Sequence, residues 1–328
     1  MDNYLYRKIN NTLEMHDFQE KTENKPAIIS PPPKLVLLTL SGLIFLCWIA
    51  GSGLVFMACE QQGIDLQGAL AGFGKNGTLE ERNFVRGALL INHTATFLLP
   101  ALITNWIFFK NEWQQKLALN NPLDLRTLGL SVLFMMAAFP IAQEAFLANR
   151  WLVEQIPSLR SLVETETATE NMMEGLLVMQ SPWELLFSLL VMGIVPAIGE
   201  ELVFRGTVQK QIEKWTSRPL LTIGLTAFLF SLVHFQIQRF LAILWLGLVL
   251  GLLLFWTKNL WIPIAAHFLN NGAQVVVAYF NQEKLNDLNQ GVGEELPLSL
   301  LLASAGLIVL AGFQLWKNSV KPSAIPPL

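Results

Sequence analysis

Few ionisable side chains fall inside the apolar stretches of this chain: His93, Glu144, Glu200, Glu201, Arg205, His234 and His267, with Asn270 and Asn271 beside the last. A charge near the centre of a bilayer costs about 2.5–3.5 kcal/mol on insertion scales, so each such residue calls for a partner or a function. Five of them form spaced sets. Glu201 and Arg205 are i and i+4 on one helical face and can pair, whereas Glu200 points about 100° away and is free to face a cavity as a base. Phe230 and His234 share a face one turn apart, as do His267 and Asn271. Taken singly, each set has a plain structural reading: a charged helix end, a packing histidine, polar contacts between helices. Three neighbouring spans that all aim polar groups inward point instead to a reaction centre. Glu200 and His234 would activate a water, and His267 with Asn271 would donate hydrogen bonds to a developing oxyanion. The same Glu200, His234 and His267 are candidate ligands for zinc, the one cofactor this set suggests. The helical His-Glu-x-x-His zinc motif is absent. His93 reads as packing between helices. Glu144 reads as a residue paired inside the bundle or near the outer interface.

The elements that must position these residues are membrane helices. Of 328 residues 52% are hydrophobic and only 14% charged, and the mean hydropathy is +0.44, which excludes an ordinary soluble enzyme. The fold class is all-α, a polytopic membrane bundle of about eight helices. The expected spans are 35–57, 84–109, 127–148, 183–204, 220–237, 240–257, 259–280 and 297–316, most near the ~20 residues that cross ~30 Å of hydrocarbon. The seventh, interrupted by Pro263, and the sixth are candidates for re-entrant segments. Residues 1–34 form a polar tail ending in prolines, 35–180 hold helices one to three with their loops, 181–280 form the catalytic core, and 281–328 hold the last loop, helix eight and a short tail. The polar tail lacks the pattern of a cleavable signal, so the first apolar segment is expected to stay in the mature protein.

Net charge −3 and a pI near 5.9 supply no basic field for nucleic acid. Cys47 and Cys59, twelve positions apart on one helix, are about 18 Å apart and cannot pair. Fifteen of the 22 Lys and Arg fall on one side if the N-terminus is cytoplasmic, which places both termini inside. Residue counting leaves a discrepancy of depth: His267 lies about 12 Å into its span and His234 about 21 Å into its own. Glu200 is level with them only if its helix continues past Arg205 towards Lys210 and Lys214. Asn76-Gly77-Thr78 matches a glycosylation acceptor by chance pattern.

Glu200-Glu201-x-x-x-Arg205, Phe230-x-x-x-His234 and His267-x-x-x-Asn271, in that order on successive spans, resemble the three motifs of the CAAX protease and bacteriocin-processing (Abi, type II CAAX prenyl endopeptidase) family of intramembrane proteases. The resemblance covers about residues 180–280, and the stretch from Asn259 to Asn271 is similar to bacterial members. It implies an eight-helix bundle whose conical cavity admits a peptide, with the site below the cytoplasmic surface. By position it implies Glu200 as base with His234, His267 and Asn271 as oxyanion hole, and Glu201 and Arg205 as support. The family is described both as metalloproteases and as glutamate-dependent proteases, and the sequence leaves both open. The implied partners are the bilayer and a membrane-associated peptide or protein, and the implied place is a bacterial inner membrane. Two other classes compete: a non-catalytic bacteriocin-immunity or scaffold protein of the same fold, which would tolerate loss of Glu200, and a proton-coupled transporter, which predicts inverted repeats that the sequence does not display.

Overall fold

The computed structural model describes residues 31–64, 76–282 and 295–320. Most of the polar tail, Lys75, Lys284 and Lys321 lie outside the described residues. Among the described residues there are nine helices and no strand: α1 Pro33–Gln62, α2 Leu79–Lys116, α3 Leu125–Glu154, α4 Arg160–Leu176, α5 Pro182–Thr216, α6 Pro219–Leu232, α7 Phe240–Thr257, α8 Trp261–Phe280 and α9 Leu298–Val320. Six of them, α1, α2, α3, α5, α7 and α9, are long and apolar enough to cross a membrane. With α6 and α8 they occupy the eight stretches read from the sequence, as a polytopic helical bundle.

The bundle is inside-out, as a lipid solvent requires. Leu38, Phe45, Phe56, Val309 and Leu310 stand exposed on α1 and α9, while Glu200, Glu201, Arg205, Thr207, Gln209 and His267 are buried. Helix α5 is the enclosed one: 56% of its apolar window is buried, against 17% in α1 and 22% in α9. The two glutamates therefore sit on the helix with the most neighbours.

Local chemistry sets the helix ends. Thr78 caps α2 through a reciprocal pair with Glu81, which gives the apparent glycosylation triplet a structural role. Asp124 caps α3 by accepting from the Thr127 amide. Pro182 and Pro219 stand in the first turns of α5 and α6, where a missing N–H costs nothing. Pro263 is the third residue of α8, still within the first turn, so the seventh span is continuous rather than interrupted. Glu144 accepts from the amide of Leu296 and anchors the approach to α9.

Helix α6 departs from expectation. It was expected to run to residue 237 but ends at Leu232 after 14 residues, about 21 Å. His234 lies in the turn that follows, and Phe235 adopts a left-handed backbone with φ 51°. That strained turn is held from outside. Glu166 of α4 accepts from the amides of Ile237 and Gln238, and Asn149 donates to the Ile237 carbonyl at 2.6 Å.

Close helix approach comes from glycine. Gly247 and Gly251 form a small-xxx-small face on α7 against Ile223 and Ala227 of α6. A Cβ at Gly251 would fall 2.8 Å from Ile223 Cγ2, whereas one at Gly224 would meet nothing within 4 Å. Gly251→Leu is expected to destabilise the protein by about 1–3 kcal/mol through overpacking, read as a lower thermal midpoint in detergent. Gly224→Ala should leave the midpoint unchanged or raise it slightly.

Candidate active site

Glu200 and Glu201 stand near the middle of α5 between two π-helical segments, Leu189–Ile194 and Leu202–Gln209. The third π-helical segment, Thr94–Leu98, lies on the facing α2. Such turns widen a helix locally and recur at functional sites. Here all three lie on the two helices whose side chains meet at Glu200.

Glu201 is fully buried and pairs with Arg205, Nη1 to Oε1 at 2.8 Å. The guanidinium donates from Nη2 to the carbonyl of Gly247 at 2.9 Å, and its Cζ lies 4.3 Å from the centroid of the Phe230 ring. His267 Nδ1 donates to the same Glu201 Oε1 at 2.9 Å. The pairing read from the i, i+4 spacing is thus present and carries contacts to three other helices.

Glu200 faces the other way. Its Oε2 lies 3.8 Å from His234 Nε2 and 3.8 Å from His267 Nε2, and it accepts no hydrogen bond although it is buried. Those separations are too long for direct hydrogen bonds and suit a bridging water. His234 donates from Nδ1 to the carbonyl of Phe230 at 2.6 Å, and its ring meets the Phe230 ring edge-on at 4.6 Å. With Nδ1 committed as a donor on both histidines, each neutral imidazole turns the lone pair of Nε2 towards Glu200. Asn271 accepts at Oδ1 from Asn270 Nδ2 at 2.8 Å, which leaves the Asn271 amide N–H groups as donors.

The depth discrepancy resolves at the start of α8. The Leu260 amide donates to the carbonyl of Ala118 at 3.0 Å, and Leu260 Cδ2 lies 3.3 Å from where a Cβ on Gly206 would be. Helix α8 therefore begins level with Gly206, ten residues short of the end of α5. Glu200 is six residues, about 9 Å, from that level, and His267 seven residues, about 10 Å.

One residue of the site was assigned otherwise from sequence. His93, read as packing, donates from Nε2 to Glu200 Oε1 at 2.9 Å. An isolated histidine with no spaced partner gives no motif; its only signal was an ionisable group in an apolar span. Glu144 lies apart, engaged with Leu296. A second charged cluster was not foreseen: Arg82 and Arg86 both donate to Glu184 Oε2, at 2.9 and 3.0 Å, and Arg86 Nη2 donates to the carbonyls of Leu176 and Val178. It fastens α2 to the start of α5.

The candidate zinc ligands Glu200, His234 and His267 come together but do not close on an ion. Ligands 2.0–2.1 Å from a tetrahedral zinc stand about 3.3 Å apart, less than the 3.8 Å here. Among the described residues no set of three or more His, Cys, Asp and Glu is arranged to hold a metal.

A helical membrane bundle with a buried carboxylate among imidazoles on its most enclosed helix defines the class of this protein as an integral membrane protein with a buried polar site. Residues 182–273 match the family described as type II CAAX prenyl endopeptidase Rce1-like. The matched segment contains Glu200, Glu201, Arg205, Phe230, His234, His267 and Asn271. Over 77 residues the chain is 32% identical to the uncharacterized protein YpbD of Bacillus subtilis (strain 168), which covers 22% of this chain and 36% of that protein. The match thus spans about a third of that relative. No solved structure matches the chain.

Removing Arg205 alone strands a buried carboxylate, so Arg205→Met is expected to cost about 3–5 kcal/mol of stability. Removing both charges in Glu201→Leu/Arg205→Met should recover much of that loss, as a thermal double-mutant cycle in detergent would measure.

Proposed function

We propose that the protein is an intramembrane endopeptidase that hydrolyses a peptide bond of a membrane-associated substrate with a water activated by Glu200 and His234. The observation that carries this reading is the buried Glu200 Oε2, which accepts no hydrogen bond and faces two imidazole lone pairs. It lies inside a segment that matches an endopeptidase family.

In this mechanism the water donates one hydrogen to Glu200 Oε2 and the other to His234 Nε2. As its oxygen bonds to the peptide carbonyl carbon, its proton passes to Oε2, and the carbonyl oxygen becomes an oxyanion. Asn271 Nδ2 donates to that oxyanion. His267 joins it when Nε2 carries a proton, with the resulting imidazolium balanced by Glu201 through Nδ1. The C–N bond then breaks, and Glu200 returns its proton to the departing amine nitrogen. Glu201 and Arg205 act through His267, and Phe230 acts through its contacts with Arg205, His234 and His267.

A cavity of about 280 Å³ lies beside Leu202 and Ile264, with Trp113 and Trp261 in its wall. Ile198 and Leu202, which also line it, stand two residues either side of Glu200, about 200° round the helix, so the cavity lies on the other face of α5 from that carboxylate. The lysines suggest orientation. Lys210 Nζ donates to the carbonyl of Lys116 at 2.5 Å, Lys34 Nζ lies 5.5 Å from the Trp215 ring centroid, and Lys214 Nζ lies 5.7 Å from that of Phe109. We read this basic end as the cytoplasmic one, in a bacterial inner membrane, the side on which the charge distribution of the sequence puts both termini.

The test is cleavage of a membrane-proximal peptide library by purified protein in detergent, with Glu200→Gln in parallel and metal content measured on both. Products from the parent protein that fall by about 10²–10⁴-fold in the variant are expected. Equal products would overturn Glu200 as the base, and none from either folded protein, against a library that includes prenylated and unmodified peptides, would move the assignment to a non-catalytic relative.

A further inference from the structure

Two oxygens of one carboxylate are treated differently here. Glu200 Oε1 receives His93 Nε2 at 2.9 Å, while Oε2, which faces His234 and His267, receives nothing. A carboxylate held at neither oxygen can rotate and present either one to a substrate. One fixed by a single donor presents its other oxygen in a set direction. We propose that His93, on α2 and outside the segment that matches the endopeptidase family, is a positioning residue for Glu200, fixing Oε1 so that Oε2 is the proton-accepting atom. This rests on the hydrolytic reading above and adds to it a residue from the N-terminal part of the chain.

The approach of α2 to Glu200 depends on several independent features. Gly199, next to the base, has no side chain where one would collide: its Cβ would lie 3.1 Å from Phe97 Cβ and 3.3 Å from the Leu98 amide nitrogen. The π-helical segment Thr94–Leu98 begins at the residue after His93. Phe97 stacks 5.0 Å from the His93 ring and 6.5 Å from Phe204 of α5, which limits rotation of the imidazole. The carboxylate side chain is 7% exposed and the imidazole 29%, so the hydrogen bond is largely shielded from water and charge-assisted. Plain packing between helices would not require a donor aimed at one particular oxygen of the base.

The experiment measures kcat and KM for the parent protein, His93→Leu, His93→Gln and Glu200→Gln, and the thermal midpoint shift caused by His93→Leu in the parent and in Glu200→Ala. His93→Leu is expected to lower kcat by about 10²-fold with KM changed less than about threefold, since displacement of the base affects chemistry more than binding. Glutamine keeps an N–H near the place of Nε2–H and cannot act as a base, so His93→Gln should recover kcat to within about tenfold of the parent. The midpoint shift should appear in the parent and vanish in Glu200→Ala. A purely structural role would lower the midpoint and leave kcat per folded molecule intact. Parent-like kcat in His93→Leu, or His93→Gln as impaired as His93→Leu, would overturn the proposal while Glu200→Gln separately upholds the hydrolytic reading. Cleavage that Glu200→Gln does not diminish would overturn the hydrolytic reading itself. With no cleavage by any folded protein, a persisting midpoint coupling would reduce His93 to a bundle contact and overturn its positioning role.

Discussion

The ion pair between Glu201 and Arg205 is the constraint on which the site depends. Both side chains are fully excluded from solvent, where an unmatched charge is so costly that every neighbour must serve the pair. Arg205 reaches a carbonyl of α7 and the face of an aromatic ring on α6, and Glu201 receives an imidazole from α8. One pair thus fixes where three other helices stand relative to α5. Two of the three histidines around Glu200 are set by this arrangement: His267 directly, and His234 through the Phe230 carbonyl. In lipid, where burial of apolar surface does little to bring helices together, such polar ties carry more of the assembly than they would in a soluble core.

Those ties act only if backbones approach closely, and the chain provides for this at particular positions. Gln209 donates to the Gly251 carbonyl one turn along from the Arg205 contact with Gly247, a ladder of i, i+4 donors against i, i+4 glycines. Gly206 accommodates Leu117 and Leu260, which lets α8 start deep in the bundle and brings His267 level with Glu200. The unwound turn after α6 does the same for His234, at the cost of a left-handed Phe235 that Glu166 and Asn149 hold in place.

Much of the site was legible because helical periodicity converts sequence spacing into a shared face. Glu201 with Arg205 and the opposite direction of Glu200 follow from 100° per residue; Phe230 and His234 also meet, but through the turn after α6 rather than along one helical face. The polytopic helical class followed from apolar length, and six of the eight expected spans are long and apolar enough to cross a membrane, whereas α4 has no apolar run to announce it. Features that depend on where a helix stops, or on one residue meeting another far away in the chain, were not legible. The end of α6 at Leu232 has no Gly, Pro or cap to mark it. The depth of α8 is set by contacts with residues 117–122. His93 meets Glu200 across 107 positions, and Glu184 meets its arginines across 98 and 102; no local pattern encodes either.

Helix α5 carries two carboxylates of nearly equal burial that serve opposite ends. Glu184 is 4% exposed and Glu200 5%, so burial alone does not distinguish the two. Occupancy of the oxygens does. Glu184 accepts two guanidinium bonds at Oε2 and the Gln180 amide at Oε1, so both oxygens are spent and permanent cations match its charge. Glu201 keeps one bare oxygen, but a guanidinium sits on the other. Glu200 has a free oxygen, and its close polar partners are imidazoles, groups whose charge can change. A carboxylate locked to arginine gains little by accepting a proton, because the cation is then left unmatched. One surrounded by histidines can take up a proton while the charge around it readjusts, and that distinguishes the middle of α5 from its beginning.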